Sequence, residues 1–289
     1  MSKNVLVTGG SGFIGSHVVD SLIKKKYNVT IFDLTTPKRK DVKFIKGSIL
    51  DEGLVRSTLK NIDYVFHLAA VSDINKVKNI PNKTIETNIL GTTRLLEVLR
   101  DMNIKRFIFT SSVYSYGTAG NLYTTSKTAS ELIIKNYKTL FGLKFTILRY
   151  TTAYGPRSRE VDAISIFVER ALKNLDLVIF GDGQQKRNYL HVEDLANGSM
   201  IALEEKTKNK IITLASEKNI KIVDLAKTII ELTKSRSKIV FNKKNKRLDD
   251  FTSNYYYNRK DKKALINWRP KYDLKNGLRE YIKVKRELD

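Results

Sequence analysis

Short apolar runs alternate with longer amphipathic stretches over about the first 150 residues of the chain. This alternation is typical of repeated strand, helix, strand units, in which parallel strands form a sheet covered by helices. Ile14, Val18 and Leu22, for example, form one apolar stripe at the helical period. The apolar runs predict strands over 4–8, 28–32, 42–46, 63–68, 105–110 and 144–149, and the amphipathic stretches predict helices over 13–25, 51–60, 84–102 and 123–141.

The pattern changes after Pro156, where the apolar runs shorten and turn signals such as Gly181-Asp182-Gly183 occur. The tail predicts two helices, near 259–267 and 275–287. We therefore predict an α/β protein with a doubly wound parallel sheet, the Rossmann architecture, and a smaller C-terminal α/β lobe that binds substrate. The predicted Rossmann domain covers 1–156, with 186–215 returning to it, and the predicted smaller lobe covers 157–185 and 216–289.

Composition excludes several classes of chemistry. The 289 residues include no cysteine, so a disulfide framework, a thiolate metal site and a cysteine nucleophile are all ruled out. The three histidines are far apart in the sequence, and we predict no metal site. No apolar run approaches the ~20 residues that a membrane span needs, so we expect a cytoplasmic protein without a membrane partner.

The chain is strongly basic, with 53 Lys+Arg against 30 Asp+Glu and a formal net charge of +23. A basic surface can attract RNA, an anionic membrane or an anionic small substrate. The excess of lysine is greatest over 206–289, but these lysines are scattered among apolar positions and do not form one block. A lysine-rich solvated surface is therefore the favoured interpretation, and nucleic acid is not the expected partner.

A glycine-rich turn joins the first predicted strand to the first predicted helix, with glycines at 9, 12 and 15. Gly9 permits a tight turn, Gly12 lets backbone approach a pyrophosphate, and Gly15 lets the helix pack close to the sheet. The diphosphate then meets the positive end of the helix. Asp33 follows at the end of the second strand, where a carboxylate would accept hydrogen bonds from a ribose and repel a 2′-phosphate. The motif predicts NAD as cofactor in preference to NADP, although Lys38 and Arg39 lie nearby.

A serine and a tyrosine–lysine pair follow the predicted strand 105–110. Tyr123 and Lys127 are four residues apart, which places them on one face of a helix. A free phenol has a pKa of about 10, so it becomes a useful base where a nearby cation, such as Lys127 or an oxidised nicotinamide, stabilises the phenolate. Ser112, at the carboxyl edge of the sheet, could hold a hydroxyl or carbonyl oxygen of a substrate. These three residues are the predicted catalytic group.

Further segments accompany these motifs along nearly the whole chain. They are Gly47-Ser48-Ile49-Leu50-Asp51, His67-Leu68-Ala69-Ala70, Asn88-Ile89-Leu90-Gly91-Thr92, Leu148 to Pro156, Gly181 to Tyr189 and Asn267-Trp268-Arg269-Pro270. With them the chain resembles the extended short-chain dehydrogenase/reductase family, in particular its NAD-dependent epimerase/dehydratase branch, which includes UDP-glucose 4-epimerase. The resemblance implies an NAD-dependent enzyme that acts on a nucleotide-sugar.

The same resemblance implies a role for individual residues. Tyr123 is the expected base, Ser112 its partner, and Lys127 the group that holds the nicotinamide ribose. Arg187 is expected to bind the substrate diphosphate, for which an arginine fork is well suited. The implied cofactor contacts are Gly9, Gly12, Phe13, Ile14, Gly15, Asp33, Ile49, Asp51, Leu68, Ala69, Ala70, Asn88, Tyr123 and Lys127, and the implied substrate contacts are Ser112, Tyr123, Thr152, Arg187 and Arg247.

Departures from the family pattern argue against several of the reactions that the family catalyses. Sugar dehydratases of this family carry an Asp-Glu pair directly after the residue equivalent to Ser112, and here those positions are Val113 and Tyr114. The missing Glu argues against the decarboxylating members too, and the absence of cysteine argues against the epimerase-reductases that make GDP-fucose. A nucleotide-sugar 4-epimerase that works by transient oxidation at C4 is the leading prediction. A 4-ketoreductase or 4-dehydrogenase is the alternative, and a non-catalytic NAD-carrying RNA-binding or scaffold protein is less expected.

Two further departures concern the substrate. The stretch between Ser112 and Tyr123 is short for the family, which predicts a more open substrate mouth, and Thr152 stands where the epimerases often have asparagine. UDP is the preferred nucleotide, while dTDP, GDP and CDP stay open. A homodimer is expected because helices 84–102 and 123–141 resemble those that form a two-fold bundle in family dimers. Ile133, Tyr137 and Leu140 are the expected apolar contacts.

Overall fold

A computed structural model describes residues 2–117, 121–242 and 268–288 of the chain. The strands are β1 (Asn4–Thr8), β2 (Asn28–Asp33), β3 (Lys43–Lys46), β4 (Tyr64–His67), β5 (Arg106–Ser112), β6 (Phe145–Tyr150), β7 (Thr152–Tyr154), β8 (Leu177–Phe180), β9 (Lys186–His191), β10 (Lys210–Leu214), β11 (Asn219–Lys221) and β12 (Ile239–Asn242). The α-helices are α1 (Phe13–Lys24), α2 (Glu52–Thr58), α3 (Ile74–Val77), α4 (Pro81–Ile85), α5 (Gly91–Arg100), α6 (Leu122–Phe141), α7 (Ala163–Leu172), α8 (Val192–Ser199), α9 (Ile222–Thr233) and α10 (Leu274–Leu288).

Seven parallel strands form the main sheet, in the order β10-β6-β5-β4-β1-β2-β3. The first six predicted strands are confirmed to within two residues at each end. The chain runs outward from β1 through β2 to β3, then crosses back to β4 on the other side of β1. This reversal separates the loops that follow β1 and β4, and ligands of doubly wound sheets bind in the crevice at this point.

Both faces of the sheet are buried, which explains the continuous apolar runs of its strands. On the central strand β1, Val5 and Val7 point into one core cluster and Leu6 into the other. The first cluster packs against α1 and α8, through residues such as Val18 and Leu195. The second packs against α2, α5 and α6. The doubly wound fold predicted from the sequence is therefore confirmed.

The predicted continuous helix over 84–102 is wrong in one respect, because a π-helical turn, Glu86–Leu90, interrupts it between α4 and α5. Within this turn Asn88 is buried, and its amide accepts a hydrogen bond from the Val71 backbone N–H (2.7 Å) and donates to the Val71 carbonyl (3.0 Å) and to Ser126 Oγ (3.0 Å). A π-turn accommodates one extra residue per turn and commonly occurs near functional sites. Here the π-turn places the side-chain amide of Asn88 against the loop after β4.

The later part of the chain builds smaller sheets beside the main one. Strand β9 pairs with β7 in parallel and with β11 antiparallel, and β8 pairs with β12 in parallel. A third core cluster, with Ile179, Leu225 and Tyr281 at its centre, joins these strands to α7, α9 and α10. Helix α10 confirms the predicted helix over 275–287, whereas the predicted helix near 259–267 lies outside the described residues. The division of the chain into domains stays a prediction.

Within the described ranges, no helix combines the length and the apolar character that crossing a membrane requires.

Candidate functional site

A cavity of about 900 Å³ lies at the carboxyl edge of the main sheet. One end is formed by the glycine-rich turn and the loops after β2 and β4. The other end is formed by α7 and strands β8 and β9. A cavity of this size matches the volume of small-molecule and cofactor sites. Residues from both halves of the chain, from Gly9 to Ile222, line this one cavity.

The glycine-rich turn lies at the first end of the cavity, and two of its glycines are required sterically. Gly9 has a φ of +71°, and a Cβ added there would lie 2.6 Å from the Ala69 backbone nitrogen. A Cβ at Gly15 would overlap the Gly9 carbonyl oxygen. Gly12 is the N-cap of α1, so the free amides of the first helical turn face the cavity. The buried hydroxyl of Ser11 has no hydrogen-bond partner among the described residues.

Asp33 lies at the rim of this end of the cavity and is fixed by backbone hydrogen bonds. Its carboxylate accepts from the Ser11 N–H (2.9 Å) and from the Thr35 N–H (3.0 Å). Arg39, six residues further on, is paired with Asp20 (2.5 Å) and Asp41 (2.6 Å). Because these two carboxylates engage the guanidinium, Arg39 is not directed at a 2′-phosphate, and the local charges favour NAD over NADP.

Most of the predicted cofactor contacts line the cavity, but two do not. Asp51 caps α2 by accepting a hydrogen bond from the Leu54 N–H (3.0 Å). Asn88 lies behind the β4 loop, with its amide engaged by Val71 and Ser126. Asn88 thus supports the loop that lines the cavity, while its direct contact with the cofactor stays a prediction. The lining residues are Gly9, Gly12, Phe13, Ile14, Gly15, Asp33, Ile49, Leu68, Ala69, Ala70, Tyr123 and Lys127.

The predicted catalytic group meets at the middle of the cavity. Ser112 ends β5, and Tyr123 and Lys127 lie in the first turns of α6. The helix begins at this point because Asn121 caps it, accepting a hydrogen bond from the Thr124 N–H (2.9 Å). The Lys127 Nζ is 5.9 Å from the centroid of the Tyr123 ring and donates a hydrogen bond to the Thr110 carbonyl (2.8 Å).

The electrostatics of this group differ from the prediction. Burial raises the pKa of the Tyr123 phenol to about 12, and Arg159 acts in the opposite direction. Burial also lowers the pKa of Lys127 to about 7, so its positive charge is itself reduced at neutral pH. Of the two cations considered for stabilising the phenolate, Lys127 is therefore the weaker, because burial reduces its own charge. The other, an oxidised nicotinamide ring, would add positive charge beside the phenol when NAD is bound.

Arg159 is a residue of the cavity that the sequence motifs missed. It follows the turn at Pro156 that leads away from β7, and its guanidinium contacts Asp162 (2.7 Å) and Ser72 Oγ (3.4 Å). Its charge opposes the effect of burial on the pKa of Tyr123. The only signal in the sequence is its position just beyond a strand end at the carboxyl edge of the sheets.

The second end of the cavity contains two of the predicted substrate residues, Thr152 and Arg187. Thr152 begins β7 and Arg187 lies on the neighbouring strand β9. Ile179 and Phe180, at the end of β8, add an apolar wall. Arg247, the remaining predicted substrate contact, lies outside the described residues.

The residues at the first end fit a dinucleotide. A diphosphate suits the free backbone amides at the start of α1, which Gly12 caps, and the unpartnered Ser11 hydroxyl can donate to a phosphate oxygen. Asp33 is placed to accept hydrogen bonds from ribose hydroxyls, and the apolar side chains of Ile49 and Leu68 line the cavity nearby.

Known proteins resemble the chain over almost its full length. The model of the NAD dependent epimerase/dehydratase family matches residues 5–215. A putative UDP-glucose 4-epimerase of Methanocaldococcus jannaschii is 34% identical and covers 96% of this chain and 97% of its own length. A UDP-N-acetyl-alpha-D-glucosaminuronate decarboxylase of Bacillus cytotoxicus is 32% identical and covers 100% and 99%. The solved structure of the Thermotoga maritima UDP-glucose 4-epimerase with UDP-glucose has a TM-score of 0.90 at 30% identity, over 99% of both chains.

These matches confirm the family predicted from the sequence and, with it, the enzymatic class and the NAD cofactor. The relatives differ in the reactions that their names give, so the match determines the family and not the reaction. The chain is a member of the NAD-dependent epimerase/dehydratase family.

Proposed function

We propose that the protein is a nucleotide-sugar 4-epimerase, with a UDP-sugar as the favoured substrate. The observation that carries the proposal is the cavity, which joins Ser112, Tyr123 and Lys127 to the glycine cradle at one end and to Arg187 at the other. A sugar whose diphosphate is bound by Arg187 would extend toward the catalytic group. The relatives named as UDP-glucose 4-epimerases support this choice of substrate.

The chain's own side chains have distinct roles in this proposal. Tyr123 takes the proton from the C4 hydroxyl and later returns it, and Ser112 holds the same oxygen by a hydrogen bond. Lys127 binds the nicotinamide ribose and contributes positive charge beside the phenol. When bound, NAD accepts the C4 hydride and gives it back. Between the two transfers the 4-keto sugar rotates, so that the hydride returns to the opposite face and the configuration at C4 is inverted.

The residues beside Ser112 support epimerisation over elimination of water. Val113 has no ionisable group and Tyr114 carries a phenol, so neither position supplies a carboxylate beside Ser112. Elimination of water from the sugar needs an acid and a base beside the redox centre. Oxidation and reduction at C4 need neither of these additional groups.

The test is incubation of the purified protein with UDP-glucose or UDP-N-acetylglucosamine, followed by separation of the nucleotide-sugars. We expect the C4 epimer to accumulate to an equilibrium ratio, with no net change in the absorbance of reduced nicotinamide. A stoichiometric change in that absorbance would instead favour the 4-ketoreductase or 4-dehydrogenase. If no nucleotide-sugar yields an isomer, the proposal is wrong. Tight RNA binding with a steep salt dependence would then favour the non-catalytic alternative.

Replacing Arg187 with Ala is expected to raise KM for the nucleotide-sugar roughly 10- to 100-fold, with a smaller effect on kcat. The estimate follows from the loss of charge-assisted hydrogen bonds to a diphosphate, each of which contributes about 1.5–3 kcal/mol. Steady-state kinetics measure both constants. Lys186→Ala is the matched control, since it removes a cation one residue away that is exposed and does not line the cavity. Equal KM values for the two variants would contradict a role of Arg187 in substrate binding.

We also propose a homodimer through the outer face of α5 and α6. Of the predicted contacts, Leu140 is 69% exposed, whereas Tyr137 is 9% exposed and donates a hydrogen bond to Glu97, and Ile133 packs against the second core cluster. Tyr137 therefore offers little exposed surface, whereas the partly buried Ile133 and the exposed Leu140 stay predicted contacts. Leu132 and Phe141 are also exposed on α6.

Sedimentation of the wild-type protein and of the double variant Leu132→Glu, Leu140→Glu tests the dimer. We expect the wild type to sediment as a dimer and the double variant as a monomer. Leu175→Glu, at an exposed leucine after α7, should remain dimeric. A monomeric wild type, or a dimer that persists in the double variant, would refute this interface.

A further inference from the structure

A buried carboxylate lies one helical turn beyond Lys127 and is not part of the predicted catalytic group. Glu131 on α6 is 2% exposed. It accepts a hydrogen bond from Ser111 Oγ on β5 (2.5 Å) and two from Arg149 on β6, from Nε (2.9 Å) and Nη2 (2.6 Å). One carboxylate therefore connects the helix that carries Tyr123 and Lys127 to the two adjacent strands.

This connection extends through further polar side chains. The Arg149 guanidinium carbon lies 4.3 Å from the centroid of the Tyr116 ring, and the Tyr116 hydroxyl contacts Thr213 Oγ1 on β10 (2.6 Å). Ser111 also contacts Ser115 Oγ (3.1 Å). We refer to Glu131, Arg149, Ser111, Ser115, Tyr116 and Thr213 as the Glu131 cluster. It lies directly beside Ser112, the next residue after Ser111 on β5.

Stability alone does not explain a buried ion pair. Removing two charges from water is costly, and apolar residues of similar volume often stabilise a protein as well or better. The bidentate geometry of Glu131 and Arg149 instead fixes the position of α6 relative to β5 and β6. That position determines whether Ser112, from a strand, and Tyr123, from a helix, face the same point in the cavity.

The cluster also acts on Lys127 through charge. Lys127 is 3% exposed, and its Nζ contacts the Thr110 carbonyl and lies 4.6 Å from the centroid of the Phe109 ring. The other titratable groups that face it are Tyr123 on α6 and His67 on β4. Burial, assisted by Lys127, lowers the pKa of His67 to about 3, so His67 is neutral. Burial lowers the pKa of Lys127, and the charge of Glu131 opposes this effect.

We propose that Glu131 is a positioning residue of the active site, which fixes α6 against β5 and β6 and favours the ammonium form of Lys127. Without this carboxylate, a larger fraction of the desolvated amine would lose its proton at neutral pH, and with it the charge beside the phenol. Arg149 and Ser111 hold the carboxylate in place for this purpose. The consequence for turnover rests on the proposed function, whereas the consequence for the protonation of Lys127 does not.

The primary test is the NMR titration of the Lys127 amine in the full-length protein without nucleotides, with isotope-labelled lysine and Lys127→Met to assign the signal. Glu131→Gln is expected to lower the pKa of Lys127 by about one unit or more, because the opposite charge one helical turn away favours the ammonium form. Glu131→Asp, which keeps the charge, should partly restore it. Glu97→Gln, at a carboxylate that bonds Tyr137 on the far part of α6, should leave it unchanged.

A folded Glu131→Gln protein with an unchanged Lys127 pKa would overturn the proposal. If that variant does not fold because the Arg149 charge is left unpaired, the double variant Glu131→Gln, Arg149→Met removes both charges. Removing Arg149 also removes a positive charge, which by itself raises the pKa of Lys127. The double variant is therefore compared with Arg149→Met alone, and a lower Lys127 pKa is expected in the double variant. Equal values in these two proteins would refute the proposal. These outcomes do not require a substrate, so failure of the proposed epimerase activity is distinguishable from failure of this inference.

Turnover provides the second readout. In Glu131→Gln, kcat should fall as the pH rises through a midpoint about one unit or more below that of the wild type, because less of Lys127 is protonated. Glu131→Asp should return the midpoint toward the wild-type value. A uniform loss of kcat at every pH, with no displaced midpoint, would indicate a purely structural role and contradict the electrostatic part of the proposal.

Discussion

Replacing Tyr123 with Phe is expected to lower kcat by roughly 10²- to 10⁴-fold, the range that a general acid–base group contributes. The substitution removes the phenol oxygen that accepts the C4 proton and keeps the ring that faces Lys127. Among the described residues no hydrogen bond holds the Tyr123 hydroxyl, so thermal stability should change little. NAD affinity, measured by calorimetry, should stay within a few-fold of the wild type because the glycine cradle is untouched.

Tyr137→Phe is the matched control for this experiment. It removes a phenol from the same helix, where Tyr137 bonds Glu97 away from the cavity. Its kcat should be close to that of the wild type. If Tyr123→Phe keeps more than about a tenth of the wild-type kcat, proton transfer by this phenol is not rate-determining and its assignment as the base is wrong.

Replacing Gly9 with Ala is expected to destabilise the fold by several kcal/mol and to remove measurable NAD binding. A non-glycine residue at a φ of +71° costs about 1–2 kcal/mol. The added Cβ would also lie 2.6 Å from the Ala69 backbone nitrogen, which cannot move without displacing the β4 loop. Urea unfolding and calorimetric titration with NAD measure the two effects.

Gly142→Ala separates the two causes. Gly142, at the C-cap of α6, has the same φ of +71°, but nothing lies within 4 Å of an added Cβ. Only the left-handed conformation is then penalised, and the loss of unfolding free energy should be about 1–2 kcal/mol with NAD binding retained. Equal losses in the two variants would show that the close approach of Gly9 to Ala69 does not matter.

Much of the fold is readable from the sequence because the strands β1, β2, β4, β5 and β6 are largely buried. They appear as mostly apolar runs, and the helices between them have one apolar face. The π-turn at 86–90 has no such signal, since it is produced by the hydrogen bonds of Asn88 to Val71 and Ser126, which are remote in sequence. Short strands such as β7 and β11, of three residues each, are equally invisible to a pattern of period two.

The sequence predicted which residues line the site better than it predicted their pKa values. The glycine spacing and the Tyr123–Lys127 pair identify residues that line the cavity, because those motifs depend on local geometry. The pKa of Tyr123 is raised by burial, which involves segments far along the chain, and is opposed by the charge of Arg159, which follows β7. Neither effect leaves a local pattern in the sequence around Tyr123. The Glu131 cluster likewise assembles from five separate elements: α6, β5, β6, β10 and the short 3-10 helix Val113–Tyr116.

The central claim is that C4 is oxidised and then reduced with return of the same hydrogen. UDP-glucose with deuterium at C4 tests this claim directly, with mass and NMR analysis of the epimer formed in ordinary water. We predict that the product retains deuterium at C4 and that no deuterium is found in free reduced nicotinamide or in water. Loss of deuterium from C4 in the product, or formation of deuterated free nicotinamide in amounts equal to the substrate consumed, would contradict it.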